Sequence, residues 1–296
     1  MGQLFGVAGG VLGREASGQE YEKEPKMAQA EQQGRAAFKE GHIEADGFRI
    51  RYVEAGQGRP VVMLHGVGGL MLSKVHDELA KRYHVIAFEM PGLGQSLPNS
   101  KSQSVKDLAQ TMAQAVAKLG VDTYALVGTS FGGKVALWQA LQAPQQVDLL
   151  VLIAPTAVLP EGYTMPSMAP DHIGKLMFAH PENAPAQLPV DPAHVTKEMA
   201  LLQRLKGTSR DTELEGKLGE VQTLTLVVFG TADKMVPPAM GRTYRERMPN
   251  CHYVLVYDAG HAVAAERPEA LTTTITDFLD LRETFIISRR DSRISP

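Results

Sequence analysis

Gly128-Thr129-Ser130-Phe131-Gly132-Gly133 directly follows the apolar run Tyr124-Ala125-Leu126-Val127 and opens a helix-like stretch over 134–141. Gly-x-Ser-x-Gly at a strand-to-helix junction is the pattern of a nucleophile elbow, which raises a serine hydroxyl clear of a sheet. So sharp a turn holds its serine at a strained backbone angle. Glycines beside it remove the Cβ atoms that would strike the neighbouring strand and helix. Ser130 is therefore the candidate nucleophile. A serine hydroxyl is a weak nucleophile near neutral pH, so it needs a base to take its proton and a group to hold that base.

Functional side chains of open α/β sheets gather beyond the carboxyl ends of the strands. His261 lies there, in Asp258-Ala259-Gly260-His261, just past the apolar run that ends at Tyr257. An imidazole with an ordinary pKa of about 6.5 can accept a serine proton and return it to a leaving group. The other histidines are less well placed. His65 begins a glycine loop, His84 opens a strand, and His172, His180 and His194 fall in a proline-rich interval. Asp233, in Gly230-Thr231-Ala232-Asp233, follows the apolar run 226–229 and would keep the imidazole in the required tautomer. Asp258 is the competing acid, nearer to His261 in sequence but expected to face away at the end of its own strand.

Attack on a carbonyl also needs two N–H groups aimed at the oxygen that becomes charged. Phe131 supplies one, at the start of a helix whose dipole favours negative charge. The loop His65-Gly66-Val67-Gly68-Gly69, after an early strand, supplies the other. Its glycines allow close approach of backbone to substrate. The second N–H is assigned to Val67, with Gly66 and Gly68 as the adjacent alternatives.

Strand-like and helix-like patterns alternate along the chain, which predicts a sheet with helices on its faces. Pro60-Val61-Val62-Met63-Leu64, Val85-Ile86-Ala87-Phe88, 124–127, 149–153, 224–229 and 253–257 read as buried parallel strands. Phe48 to Val53 alternates like an edge strand. Val105, Leu108, Met112, Val116 and Leu119 give one helix an apolar face, and Leu271, Ile275, Phe278 and Leu279 another. The proline-rich interval 155–221 interrupts the alternation and carries an amphipathic helix opened by Asp191-Pro192, with Val195, Met199, Leu202 and Leu205 on its apolar side. So long an insert between two strands predicts a functional cap over the mouth of the sheet. The expected organisation is a poorly ordered extension over 1–40, a core over 41–154 and 222–285, the cap over 155–221, and a polar tail over 286–296.

At 296 residues the chain is long enough for one large α/β domain, and a net charge of −3 without a charged run points away from nucleic acid and anionic membranes. Cys251 is the sole cysteine, which excludes an internal disulfide and suits a reducing compartment. The N-terminus lacks the basic segment of a signal peptide, and Gly6 stands where a myristoylation motif has Ser or Thr. No run is apolar and long enough to span a membrane. A cytoplasmic protein, monomer or homodimer, acting on a small-molecule substrate is expected.

Met63-Leu64-His65-Gly66-Val67-Gly68-Gly69, Met90-Pro91-Gly92-Leu93-Gly94-Gln95-Ser96, the Ser130 elbow, Gly230-Thr231-Ala232-Asp233 and Gly260-His261 together resemble the α/β-hydrolase superfamily over about residues 45 to 283. The resemblance implies an α/β-hydrolase fold with a mostly parallel eight-stranded sheet, helices on both faces, and a helical cap after the sixth strand. It implies a Ser-His-Asp triad, with neither metal nor organic cofactor. Glu89 departs from the Asp that family members often carry before Pro-Gly-x-Gly-x-Ser, and is expected to brace that turn.

Met165, Met168, Met177 and Phe178 of the cap, with Gly66, Val67, Leu70 and Phe131, are expected to line an apolar pocket. Without a cationic cluster in the cap, a small to medium, largely apolar ester is the expected substrate. The chain also resembles carbon–carbon bond hydrolases of ring-cleavage diketones in its elbow and its His-Gly-Val-Gly-Gly loop. Those enzymes generally carry a Trp soon after the catalytic His and a cap Arg, whereas Ala262-Val263-Ala264 follows His261 here and the only tryptophan is Trp138. Perhydrolase or haloperoxidase chemistry would use the same triad, and a low-turnover ligand receptor is a further alternative on this fold.

Overall fold

The computed structural model describes residues 36–166, 170–184, 192–207, 209–285 and 293–294. Its strands are β1 (Lys39–Ala45), β2 (Phe48–Ala55), β3 (Pro60–Leu64), β4 (His84–Phe88), β5 (Tyr124–Thr129), β6 (Val147–Ile153), β7 (Leu224–Gly230), β8 (Cys251–Val256) and β9 (Arg293–Ile294). They form one sheet in the order β1-β2-β4-β3-β5-β6-β7-β8-β9. From β4 across to β8 the pairings are parallel, and β1 and β2 join antiparallel at one edge. Strands β1 to β8 are the expected eight-stranded, mostly parallel sheet of an α/β-hydrolase fold. The short β9 adds an antiparallel pairing with Leu255 and Val256, inside the stretch expected as a polar tail; the rest of 286–296 lies outside the described residues.

β1 also corrects an expectation. It starts at Lys39, within the interval expected as an extension, and takes the sheet edge expected for β2. Its residues carry little apolar character because an edge strand needs little. The turn fixes the hairpin instead: Asp46 and Gly47 both have positive φ, 51° and 81°, as a tight two-residue turn demands. Residues 1–35 of the expected extension lie outside the described residues.

Helices follow in the order α1 (Lys74–Ala80), α2 (Val105–Lys118), α3 (Phe131–Gln142), α4 (Pro170–Met177), α5 (Pro192–Leu205), α6 (Thr212–Gly216), α7 (Met240–Arg247), α8 (Val263–Glu266) and α9 (Pro268–Leu281). Alternate strand residues serve opposite faces. Val62, Ile86, Leu126, Leu150 and Val227 belong to the cluster built with α2 and α3, whereas Val61, Val85, Ala125, Leu149 and Leu226 belong to that built with α1 and α9. With each buried Val, Leu or Ile stabilising by about 1.5–3 kcal/mol, these two layers explain why the strands read as continuous apolar runs.

Between β6 and β7 the chain forms α4, α5 and α6. On α5, Glu198, Leu201, Leu202 and Leu205 are buried, a set spaced i, i+3, i+4 and i+7. Val195 and Met199, expected on the inward side, are 44% and 52% exposed. The inward stripe is shifted because Glu198 faces in, where its Oε1 accepts the Gly94 N–H at 2.7 Å. Among the described residues no helix is long and apolar enough to cross a membrane.

Candidate active site

Ser130 joins β5 to α3 with φ 53° and ψ −116°. A non-glycine residue so placed costs about 1–3 kcal/mol, and three backbone hydrogen bonds hold it there. Its N–H donates to Ile153 O at 2.8 Å, and its carbonyl accepts the N–H groups of Gly133 at 3.0 Å and Thr156 at 3.2 Å. β6 and the residues just after it therefore grip the turn. A Cβ on Gly132 would collide with the carbonyl oxygens of Leu64 and His65, so α3 lies this close to β3 only with glycine there.

His261 and Asp233 meet Ser130 from the loops after β8 and β7. Ser130 Oγ lies 2.9 Å from His261 Nε2, and His261 Nδ1 lies 2.9 Å from Asp233 Oδ2. Carboxylate oxygens accept, so Nδ1–H is the donor and Nε2 is left to accept the serine proton. Asp233 is anchored through its other oxygen, Oδ1, which accepts the N–H groups of Met235 at 2.8 Å and Val236 at 2.9 Å. His261 is 3% exposed and Asp233 7%, so little solvent competes for these bonds. Asp258 points elsewhere: it pairs with His180 Nε2 at 2.7 Å and with Arg267.

The glycine loop lies beside the serine. A Cβ on Gly66 would sit 3.3 Å from Ser130 Cβ. Val67 is exposed, and the Phe131 N–H opens α3, where the helix offers it no acceptor of its own. His65 is a structural residue. Its Nε2 accepts the Met90 N–H at 3.0 Å, its Nδ1–H donates to Gly66 O at 2.5 Å, and burial pushes its pKa down. Glu89 braces the neighbouring turn: Oε1 accepts the Gln95 N–H at 3.0 Å and Oε2 the Arg51 guanidinium at 3.2 Å.

Among the residues expected to line a pocket, Phe131, Met165 and Met177 belong to one apolar layer and Leu70 to the other. Met165 and Met177 are half-buried against the α2/α3 layer, Leu70 packs on the opposite layer, and the Phe131 ring is buried against Gly207. The Phe178 backbone passes over Gly260, and Met168 lies outside the described residues. A groove of about 640 Å³ runs along α5, lined by Val195, Thr196, Met199, Leu202, Lys206 and Ser209 among others.

Two anchors that tie α3 to the insertion carry no sequence motif. Lys134, one turn after Ser130, is fully buried and donates from Nζ to Gly207 O at 2.9 Å and Ser209 O at 2.7 Å. Burial pushes its pKa down to about 8. One turn further, Trp138 Nε1–H donates to Asp211 Oδ2 at 3.0 Å. A lone lysine in an otherwise apolar helix was the only signal. Among the described residues no group of His, Cys, Asp or Glu side chains is arranged to hold a metal ion.

The alpha/beta hydrolase family model matches residues 61–274. A dihydrolipoyllysine-residue acetyltransferase component of the acetoin cleaving system from Cupriavidus necator is 31% identical over 245 residues, 76% of this chain and 64% of that protein. This chain thus spans under two thirds of that relative. The 2-hydroxy-6-oxo-6-(2'-aminophenyl)hexa-2,4-dienoic acid hydrolase of Metapseudomonas resinovorans is 25% identical, with 87% of this chain and 96% of that protein covered. Among solved structures, a serine hydrolase involved in carbazole degradation aligns with a TM-score of 0.67 at 25% identity, over 83% of this chain and all of that one. The family match runs from β3 into α9 and takes in Ser130, Asp233 and His261, and this chain belongs to the alpha/beta hydrolase family.

Proposed function

We propose that this chain is a serine hydrolase that cleaves a small to medium, largely apolar ester through an acyl-enzyme on Ser130. The observation that carries the proposal is the unbroken chain of contacts from Ser130 Oγ to His261 to Asp233, 2.9 Å at each step, on a serine held at positive φ. His261 Nε2 takes the Oγ proton as Oγ attacks the ester carbonyl carbon. The N–H groups of Phe131 and Val67 receive the oxyanion, and Asp233 stabilises the imidazolium. Collapse breaks the ester C–O bond, and His261 returns its proton to the departing alcohol. Water, deprotonated by His261, then attacks the acyl carbon, releases the acid and restores Ser130. The interval 155–221 is the cap that covers the substrate.

A second reading, hydrolysis of a carbon–carbon bond in a ring-cleavage diketone, is favoured by the 2-hydroxy-6-oxohexa-2,4-dienoate-type hydrolases among the relatives, at 25% identity in Metapseudomonas resinovorans and 27% in Burkholderia cepacia. Two features of this chain favour the ester. Ala262 follows His261. Three of the six Lys and Arg residues of the insertion are also engaged: Lys197 with Gly94 O and Ser96 O, Arg204 with Asn99 O and Ser102 O, Arg210 with Glu215. A substrate carboxylate would have to compete with those partners.

Release of p-nitrophenol from acetyl, butyryl and octanoyl esters, measured beside Ser130→Ala, tests the proposal. Turnover that vanishes in the variant supports the esterase, and the preferred chain length sizes its pocket. Negligible turnover by folded wild type, with cleavage of a ring-cleavage diketone, would transfer the assignment to the second reading.

A further inference from the structure

We infer that Glu266 is a positioning residue that ties the insertion to the loop presenting His261, one carboxylate oxygen serving each. The inference rests on the hydrolase reading above. Glu266 ends the short helix α8, and its side chain is half-buried. Its Oε2 accepts the Gly260 N–H at 2.6 Å, and its Oε1 accepts the His180 N–H at 3.1 Å. A carboxylate accepts through both oxygens and donates through neither, so it can join two backbone donors that have no other means of pairing. Bonds from N–H groups to an ionised acceptor are about twice as strong as neutral ones.

The same two strands of chain meet at three further points. The Ala262 N–H donates to Met177 O at 2.8 Å. A Cβ on Gly260 would lie 2.7 Å from Ala179 N and Met177 O, so residues 177–179 pass directly against a position that only glycine can fill. Asp258 Oδ1 accepts from His180 Nε2 at 2.7 Å. Both chain neighbours of His261 are consequently fixed by the insertion, Gly260 through Glu266 and Ala262 through Met177. His261 must reach Ser130 and Asp233 together, and a misplacement of about 1 Å at such a base costs up to about 10²-fold in rate. Glu266 touches neither substrate nor reacting atoms; it acts through the backbone of His261.

The test uses Glu266→Gln, Glu266→Ala and Glu266→Asp in the full chain, with Glu269→Gln as control, since Glu269 forms an exposed pair with Lys74 three residues away. A glutamine keeps one acceptor but turns an NH₂ toward the second N–H. Three readouts are taken on folded protein: kcat and KM for p-nitrophenyl butyrate, the rate of Ser130 modification by a fluorophosphonate, and amide exchange of peptides covering 177–182 and 258–263. Expected for Glu266→Gln is a fall in kcat and in labelling rate of about 10- to 100-fold, KM within about threefold, and faster exchange in both peptides together. Glu266→Asp, which keeps the charge on a shorter stem, should recover part of kcat. The control should match wild type.

Wild-type kcat and labelling in Glu266→Gln and Glu266→Ala would overturn the inference. So would a rise in KM alone, which marks a loosened insertion without a displaced base. If wild type neither turns over ester nor takes the fluorophosphonate, the hydrolase reading falls, and the positioning role with it. Coupled exchange in the two peptides would then still register the tie itself, which separates the two failures.

Discussion

The sheet and the insertion between β6 and β7 are held together by different forces. Strands β3 to β8 pair backbone to backbone, and most of their side chains fill an apolar layer on one face or the other, so most residues contribute to cohesion twice. The insertion buries Leu201, Leu202, Leu205 and Leu214, but its placement depends on long polar side chains that cross to another segment's backbone: Lys134, Lys197, Glu198, Arg204 and Glu266. A β-sheet enforces register through a repeating ladder, whereas each of these crossings is a single event. The sheet should therefore set where the reacting groups stand and how stable the chain is. The insertion should tolerate change at its surface and respond sharply at a few anchors.

The largest effects should come from the groups the sheet presents. Ser130→Ala should lower ester turnover by at least about 10⁴-fold and Asp233→Asn by about 10⁴-fold, with melting temperatures near wild type. Asp258→Asn weakens a half-exposed contact while the Glu266 and Met177 ties remain, and should change kcat by less than about threefold. Steady-state kinetics on the three variants checks this, and a defect in Asp258→Asn exceeding that of Asp233→Asn would reassign the acid.

Next in size is the cohesion of the sheet. Leu126→Ala, in the centre of β5 and fully buried, should lower the unfolding free energy by about 2–5 kcal/mol in urea denaturation. Lys134 sharpens the contrast because it joins the two regions through a buried charge. Its native pKa, pushed down to about 8, lies below the ordinary 10.5. Between these values the unfolded chain keeps a proton that the native state has released, so stability rises with pH across that window. Below about 8 the whole cost of burying the charge is present, with an upper bound of about 3 kcal/mol. Lys134→Met should remove this rise, read as the difference between wild-type and variant stability from pH 8 to 10. The smallest effect belongs to the outer side of α5. Met199→Ser should shift stability by less than about 0.5 kcal/mol, and a larger loss would mean that this exposed methionine is covered in solution.

Legibility in the sequence followed the same division. The parallel strands were legible because burial on both faces writes a continuous apolar run. Ser130, Asp233 and His261, which lie within hydrogen-bond reach of one another, were found because each follows such a run at a strand's carboxyl end. β1 is not legible, since only Ile43 and Ala45 of its seven residues are apolar, too few to write a strand pattern. The inward side of α5 was misjudged because Glu198 reads as a solvent residue until its Gly94 partner is known. The described part of the insertion is placed partly by side-chain bonds to distant backbone, and such bonds leave no periodic trace.

Lys134, Lys197 and Arg204 reach the carbonyl oxygens of Gly207, Ser209, Gly94, Ser96, Asn99 and Ser102. A carbonyl oxygen belongs to every amino acid alike. Substitutions at those positions that preserve the backbone path leave the anchors intact, except at Gly94 and Gly207, where a Cβ would strike Glu89 Oε1 and the Phe131 ring. Covariation between the insertion and the loops beneath it would register none of these contacts, and an evolving lineage could alter what the mouth admits without rebuilding what holds it.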